Sequence, residues 1–176
     1  LNKCKVSGFE QQSDNTYFIN FSGSSMEDLA PLCGFPVSSI DLSSSAVKNI
    51  MFLQRSPLRE MDISFSKVNN LHPIKIPSLQ TLRMRGIFAL VDFRKMIRLR
   101  SLDIQGATLS SNNYLSKLSN LRELNIAFSN YQNFGEIIKL RKLQRLFVSP
   151  KMFSVAQLKA FSDKKILVTI VGENDG

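Results

Sequence analysis

An apolar-x-apolar step recurs along this chain every 20 to 22 residues, and few folds can use such a period. Seven segments carry it: Ile19/Phe21, Ile40/Leu42, Met61/Ile63, Leu82/Met84, Leu102/Ile104, Leu124/Ile126 and Leu146/Val148. The first residues of successive pairs are 21, 21, 21, 20, 22 and 22 apart. In a chain that is 43% hydrophobic, finding every one of these positions apolar has a chance of about one in 10⁵ before spacing is considered. A further pair, Val168/Ile170, follows 22 residues later. An apolar residue also precedes six of the pairs by three positions (Val37, Leu58, Leu79, Leu99, Leu121, Leu143), whereas the first repeat has Thr16. The step alternates side chains across a short strand, so one set points inward and the intervening residues face solvent. One such coil cannot bury its own apolar face, so its neighbours must stack on it.

The resulting L-x-x-L-x-L pattern resembles the leucine-rich repeat and covers the chain from about Thr16. The resemblance implies an α/β solenoid, right-handed, with a parallel sheet on the concave face and short 3₁₀, extended or helical segments on the convex side. On the return limbs, Met26, Leu29, Leu32 and Val37 match Val47, Ile50, Leu53 and Leu58, then Val68, Leu71, Ile74 and Leu79. Spacings of three with Pro31 and Pro73 inside predict 3₁₀ turns or extended chain, and Pro36 and Pro57 stand just before strands. In the later coils Leu115, Leu118, Tyr131, Phe134, Ile137 and Leu140 keep that spacing and predict a short convex helix. Residues 27–43 resemble more narrowly a bacterial short-repeat subfamily with the unit DL-x-PL-x-G-x-PL-x-x-L-D-L-S. Such arrays are often joined to serine/threonine kinase-like or other multidomain proteins, an association compatible with a chain that begins at Leu1. The compartment is not specified, with a lean toward an exported, extracytoplasmic bacterial protein.

Where many leucine-rich repeats place Asn or Thr at the turn, this chain has Ser24, Ser45, Ser66, Ile87, Ala107, Ser129 and Lys151. A serine hydroxyl bonds backbone more weakly than an amide, and Ile87, Ala107 and Lys151 cannot do so at all. The expectation is a solenoid least regular over 87–98, its shortest coil. Residues 1–15 carry no repeat and form an expected N-terminal cap, a polar lid bearing Lys3, Lys5, Glu10 and Asp14. Residues 16–153 are the array. Residues 154–176 form a C-terminal cap, with a helix from Ser154 as N-cap, Val155, Leu158 and Phe161 on one face, and a last strand over 166–171.

Composition narrows the chemistry. The chain has 176 residues and a net charge of +9, with the second half carrying most of the excess. Cys4 and Cys33 make no metal motif, and a bridge or two free thiols are both compatible with their number. His72 is the one histidine, set beside Pro73 with no nucleophile or orienting group in a motif around it. No phosphate-binding glycine loop, zinc-ligand pattern or nucleophile elbow occurs, so no catalytic residue, metal or cofactor is assigned.

Binding remains as the expected function, on the concave face. Its central column reads Asn20, Asp41, Asp62, Arg83, Asp103, Asn125 and Phe147. Phe18, Ser39, Glu60, Thr81, Ser101, Glu123 and Arg145 flank it on one side, and Ser22, Ser43, Ser64, Arg85, Gln105, Ala127 and Ser149 on the other. The candidate partner-binding residues are Asp41, Glu60, Asp62, Arg83, Arg85, Asp103, Gln105, Glu123 and Asn125, with Phe65 and Phe128 at one rim. The expected partner is another protein. The alternative is an anionic partner, nucleic acid or a membrane or cell-surface polymer, on the basic C-terminal half. Absence of Trp and of aromatic-basic interleaving disfavours nucleic acid.

Overall fold

A computed structural model describes residues 8–71, 75–110 and 114–172. Cys4, His72, Pro73 and Ile74 lie outside the described residues, as do Lys3 and Lys5. Every apolar-x-apolar step whose charged or polar middle residue faces out forms a short strand. In chain order the strands are β1 (Gly8–Gln11), β2 (Tyr17–Asn20), β3 (Val37–Asp41), β4 (Glu60–Asp62), β5 (Thr81–Arg83), β6 (Phe88–Ala89), β7 (Ser101–Asp103), β8 (Thr108–Leu109), β9 (Glu123–Asn125), β10 (Arg145–Val148) and β11 (Leu167–Ile170). The main sheet runs β1-β2-β3-β4-β5-β7-β9-β10-β11, and all its pairs are parallel except β1–β2.

The register reproduces the sequence columns. Ile19, Ile40, Met61, Leu82, Leu102, Leu124, Leu146 and Val168 are paired in succession across eight strands. The first seven of them are buried, together with Phe21, Leu42, Ile63, Met84, Ile104, Ile126 and Val148 two residues on. A one-residue slip in any coil would send its core pair to solvent, so the apolar period itself holds the register.

The return limbs are 3₁₀ turns at Ala30–Leu32, Met51–Arg55, Phe93–Lys95 and Leu115–Lys117. The expected convex helix of the later coils is therefore 3₁₀ at Leu115, and becomes a single α-helical turn, α1 (Phe134–Ile137), only in the next coil. There the Asn133 side chain accepts from Glu136 N and caps the turn.

Three expectations change. The N-terminal segment does not simply lie over the first coil as a polar lid: β1 pairs antiparallel with β2, and Phe9 stacks on Tyr17 and Phe35 with centroids 4.9 and 5.4 Å away. Residues 87–98 are not irregular either. Buried Ile87 and Ala107 replace the turn serines; a second, two-stranded parallel sheet, β6–β8, forms there, and the Asn130 side chain of the next coil accepts from Leu109 N and donates to Leu109 O, each at 2.9 Å. Thr108 N donates to Ile87 O at 2.8 Å, and Leu90 N to Asn69 O at 2.9 Å. Finally, helix α2 (Val155–Asp163) has the expected Ser154 cap, reinforced by Gln157 in a reciprocal capping box, but Val155 is 84% exposed. Phe153, just before the cap, takes the core place instead and packs edge-on against Phe161 beside Phe134.

Candidate functional site

The central column of the concave face has a structural duty first. Asn20, Asp41, Asp62, Asp103 and Asn125 each use Oδ1 to accept the backbone N–H two residues later, at 2.8 to 3.1 Å. Amide and carboxylate serve equally, because only an acceptor oxygen is needed at the strand end. Each aspartate thus presents one fixed oxygen inward and one toward the face. Arg83 has no acceptor to offer, and in its coil the corresponding N–H, that of Arg85, donates to Ser64 Oγ of the preceding coil at 3.1 Å. The Arg83 side chain is left exposed.

Arg85 is placed differently. Its Nε donates to Asp103 Oδ2 at 2.6 Å, with the Asp103 side chain 13% exposed. Asp103 is therefore a nearly buried carboxylate held from both sides, by Gln105 N and by Arg85. Gln105 Oε1 accepts in turn from Asn125 Nδ2 at 3.2 Å, so Arg85, Asp103, Gln105 and Asn125 form one connected polar patch across three coils. In the flanking column Glu123 pairs with Arg145. Glu60 is exposed and, with Asp41, Asp62, Arg83 and Phe18, lines a shallow depression over β2–β5. That depression neighbours a hollow of about 420 Å³ bounded by Asp14, Arg59 and Glu60, where Arg59 meets Asp14 at 3.1 Å. The Thr16 hydroxyl, more than Arg59, holds the Asp14 carboxyl below its ordinary value.

Phe65 and Phe128 stand at the rim after their strands, 63% and 39% exposed. Both have left-handed backbone, as do Gly23, Ser44, Gly86 and Gly106 in the same column. The turn demands it: the N–H of Gly23, Ser44, Phe65, Gly86 and Gly106 each donates to a carbonyl of the following coil, at 2.8 to 2.9 Å. A bulky residue there is strained by about 1–2 kcal/mol relative to glycine. Between the two rings Gly86 and Gly106 form a floor without side chains, and Phe88, 61% exposed, stands beside it.

One grouping escaped the sequence reading, and another was expected only as a basic half of the chain. Buried Asp92 accepts from Arg94 N, Nε and Nη2 at 2.9 to 3.0 Å, and the Arg94 guanidinium lies 4.0 Å from the Tyr114 ring centroid. Its only local signal was an Asp two residues before an Arg at the start of a turn. The other is a basic cleft on the flank that precedes the strands. Among the described residues no cluster of three or more His, Cys, Asp or Glu is arranged to hold a metal ion, and no helix is long and apolar enough to cross a membrane.

No family model and no curated protein matches this sequence. Solved structures do. Internalin C2 from Listeria monocytogenes superposes with a TM-score of 0.66 at 16% identity, over 90% of this chain and 76% of that one. Internalin F from the same organism aligns at a TM-score of 0.47 and 15% identity, over 90% of this chain and 63% of that one. The likeness to internalin C2, together with the parallel strand order β2-β3-β4-β5-β7-β9-β10-β11, shows that the chain has the leucine-rich-repeat fold, an α/β solenoid of stacked coils.

Proposed function

We propose that this chain is a protein-interaction module without catalytic activity, which takes a protein partner on the concave face and its aromatic rim. In this reading residues 16–153 are the binding array, and 1–15 and 154–176 close its ends. The contact surface comprises Asp41, Glu60, Asp62, Arg83, Gln105 and Glu123, with Phe65 and Phe128 as apolar anchors beside the Gly86–Gly106 floor. Arg85, Asp103 and Asn125 act mainly by holding that surface in shape.

One observation carries the reading. Two exposed phenylalanines occupy left-handed positions where the same column elsewhere uses glycine or serine. Phe65 leaves most of its ring in solvent, so folding offsets the strain there only in part, and contact with a partner would offset the rest. Aromatic anchors beside a small-residue floor, rimmed by charge, have the composition of an interface centre.

The test compares polypeptides retained by the immobilised wild type with those retained by Phe65→Ser/Phe128→Ser. Serine keeps the Cβ and the left-handed backbone, as Ser44 does in the same column, so the melting temperature should fall only slightly, by what the covered part of each ring contributed. Capture of a specific polypeptide should fall about tenfold or more. Retention equal to wild type by this variant and by Arg83→Ser would remove the concave face and rim as the binding surface.

A further inference from the structure

The flank that precedes the strands gathers cations that have no carboxylate partner among the described residues. Gln80, Arg100, Arg122 and Gln144 occupy successive rungs of one backbone ladder: Arg100 N donates to Gln80 O, Arg122 N to Arg100 O and Gln144 N to Arg122 O, each at 2.8 Å. Two guanidinium groups thus start from adjacent rungs, about 4.8 Å apart. Two residues earlier in their coils stand Arg98, Asn120 and Lys142. Asn120 is fixed at both ends, its Nδ2 donating to Ile97 O at 2.9 Å and its Oδ1 accepting from Lys142 Nζ at 2.8 Å. The four cations and the amides of Gln80 and Asn120 line one cleft of about 310 Å³, with no acidic residue among them. A second hollow of about 380 Å³ shares Arg122 and Lys142 and continues to Lys164 and Lys165, again with no acidic lining.

Four arginines elsewhere are neutralised: Arg59 meets Asp14, Arg85 meets Asp103, Arg94 meets Asp92 and Arg145 meets Glu123. Among the described residues Arg98, Arg100 and Arg122 have no ion pair of this kind, and like charges on neighbouring rungs destabilise a sheet. A bound anion removes that repulsion. Two connected hollows, spanning four strand separations or about 19 Å from Gln80 to Lys164, suit a chain carrying several anionic groups better than one small ion.

We propose that this flank binds a sulfated polysaccharide. The planar guanidinium fork matches the oxygens of an oxyanion ester. The amides of Gln80 and Gln144 flank the two guanidinium rungs and Asn120 stands between Arg98 and Lys142, a mixture that suits a sugar chain carrying both hydroxyl and sulfate groups. No aromatic side chain lines either hollow, so a nucleic acid would find charge but no platform for its bases. The site is independent of the concave-face reading, since it uses a different set of columns.

The experiment is calorimetric titration of the whole chain with a heparin-derived sulfated hexasaccharide, an inorganic polyphosphate of equal charge and an oligothymidylate. The hexasaccharide should bind at least about tenfold tighter than either competitor and weaken as salt rises. Arg100→Ser/Arg122→Ser should lose about tenfold in affinity with an unchanged or higher melting temperature, because it removes a repulsive pair. Arg83→Ser should bind the hexasaccharide as wild type does. Equal affinity for all three polymers, tighter binding of the oligonucleotide, or no binding of the hexasaccharide at low salt would each overturn the proposal.

Discussion

The ring of Phe65 lies across Gly86 of the next coil so closely that a Cβ on that glycine would fall 2.4 Å from the ring's Cε1. Both residues have left-handed backbone, with φ of 56° and 61°. Gly86 is therefore held to glycine twice, by its own backbone and by its neighbour's ring. Gly106 is held only once, since an added Cβ there meets nothing nearer than Gly86 Cα at 3.8 Å.

Gly106→Ala should accordingly cost about 1 kcal/mol, the left-handed penalty alone. Gly86→Ala should cost distinctly more, because the Phe65 ring must also swing away. In a Phe65→Gly background the two alanine substitutions should cost the same. Urea unfolding of the four variants measures this, and equal costs in the wild-type background would mean that the ring moves aside freely.

Asp92 supports a pH prediction. Hydrogen bonds from Arg94 outweigh the effect of burial and hold its carboxyl below the ordinary value. A carboxylate depressed in the folded state contributes stability that is complete above its unfolded value, near pH 4, and fades as pH falls through the lower folded value. Asp92→Asn should therefore melt below wild type at pH 7, and the gap should close under acid. A gap that widens on acidification would show that Asp92 is not the stabilising charge.

The core was legible because its information is periodic. Ile19 to Val168 form one register column that spacing alone predicts, and its first seven pairs are buried, whereas Ile170 of the last strand is 58% exposed. The duties of Asp41, Asp62 and Asp103 were harder to read, because an aspartate is first seen as charge. The signal was present in the same column, where Asn20 and Asn125 show that an acceptor oxygen, not a negative charge, is what recurs. At Ile87 and Ala107, loss of the turn hydroxyl implied a less regular coil only if nothing replaced it. At Ala107 the replacement comes from the Asn130 amide one coil later, a partner that the residue in the turn column does not reveal. Val155 failed for a local reason: Phe153 fills the space that the first helical turn would otherwise have reached. The basic half was read as an excess of charge, but its focus was not, although Arg100 and Arg122 hold the same place relative to their core leucines.

Leu102 and Leu124 are adjacent in that core column and fully enclosed, with 1% and 0% exposure. Leu102→Asp or Leu124→Asp buries a carboxylate without a partner while removing an anchor shared by two neighbouring coils. The expected result is loss of cooperative unfolding across the whole array, seen as a flat thermal transition. A variant that unfolds cooperatively within a few degrees of wild type would contradict a continuous core.

Arg83 and Arg85 are neighbours in sequence and in function they should separate. Arg85 anchors the nearly buried Asp103, so Arg85→Ser leaves that carboxylate with Gln105 N alone. Because Arg85 is itself 42% exposed, water screens and partly replaces the lost bond, and the cost should be about 1 kcal/mol. Arg83 is exposed, and no carboxylate lies within ion-pair distance of it among the described residues. Its replacement by serine should change stability by less than about 0.5 kcal/mol. Partner capture should show the reverse order. Arg83→Ser removes a charge that faces the depression beside Glu60 and Asp62 and should weaken capture about tenfold, whereas Arg85→Ser should act mainly through stability. If both variants capture the partner as wild type does, the two arginines only balance charge along the sheet, and the contact surface must be sought at the Phe65–Phe128 rim alone.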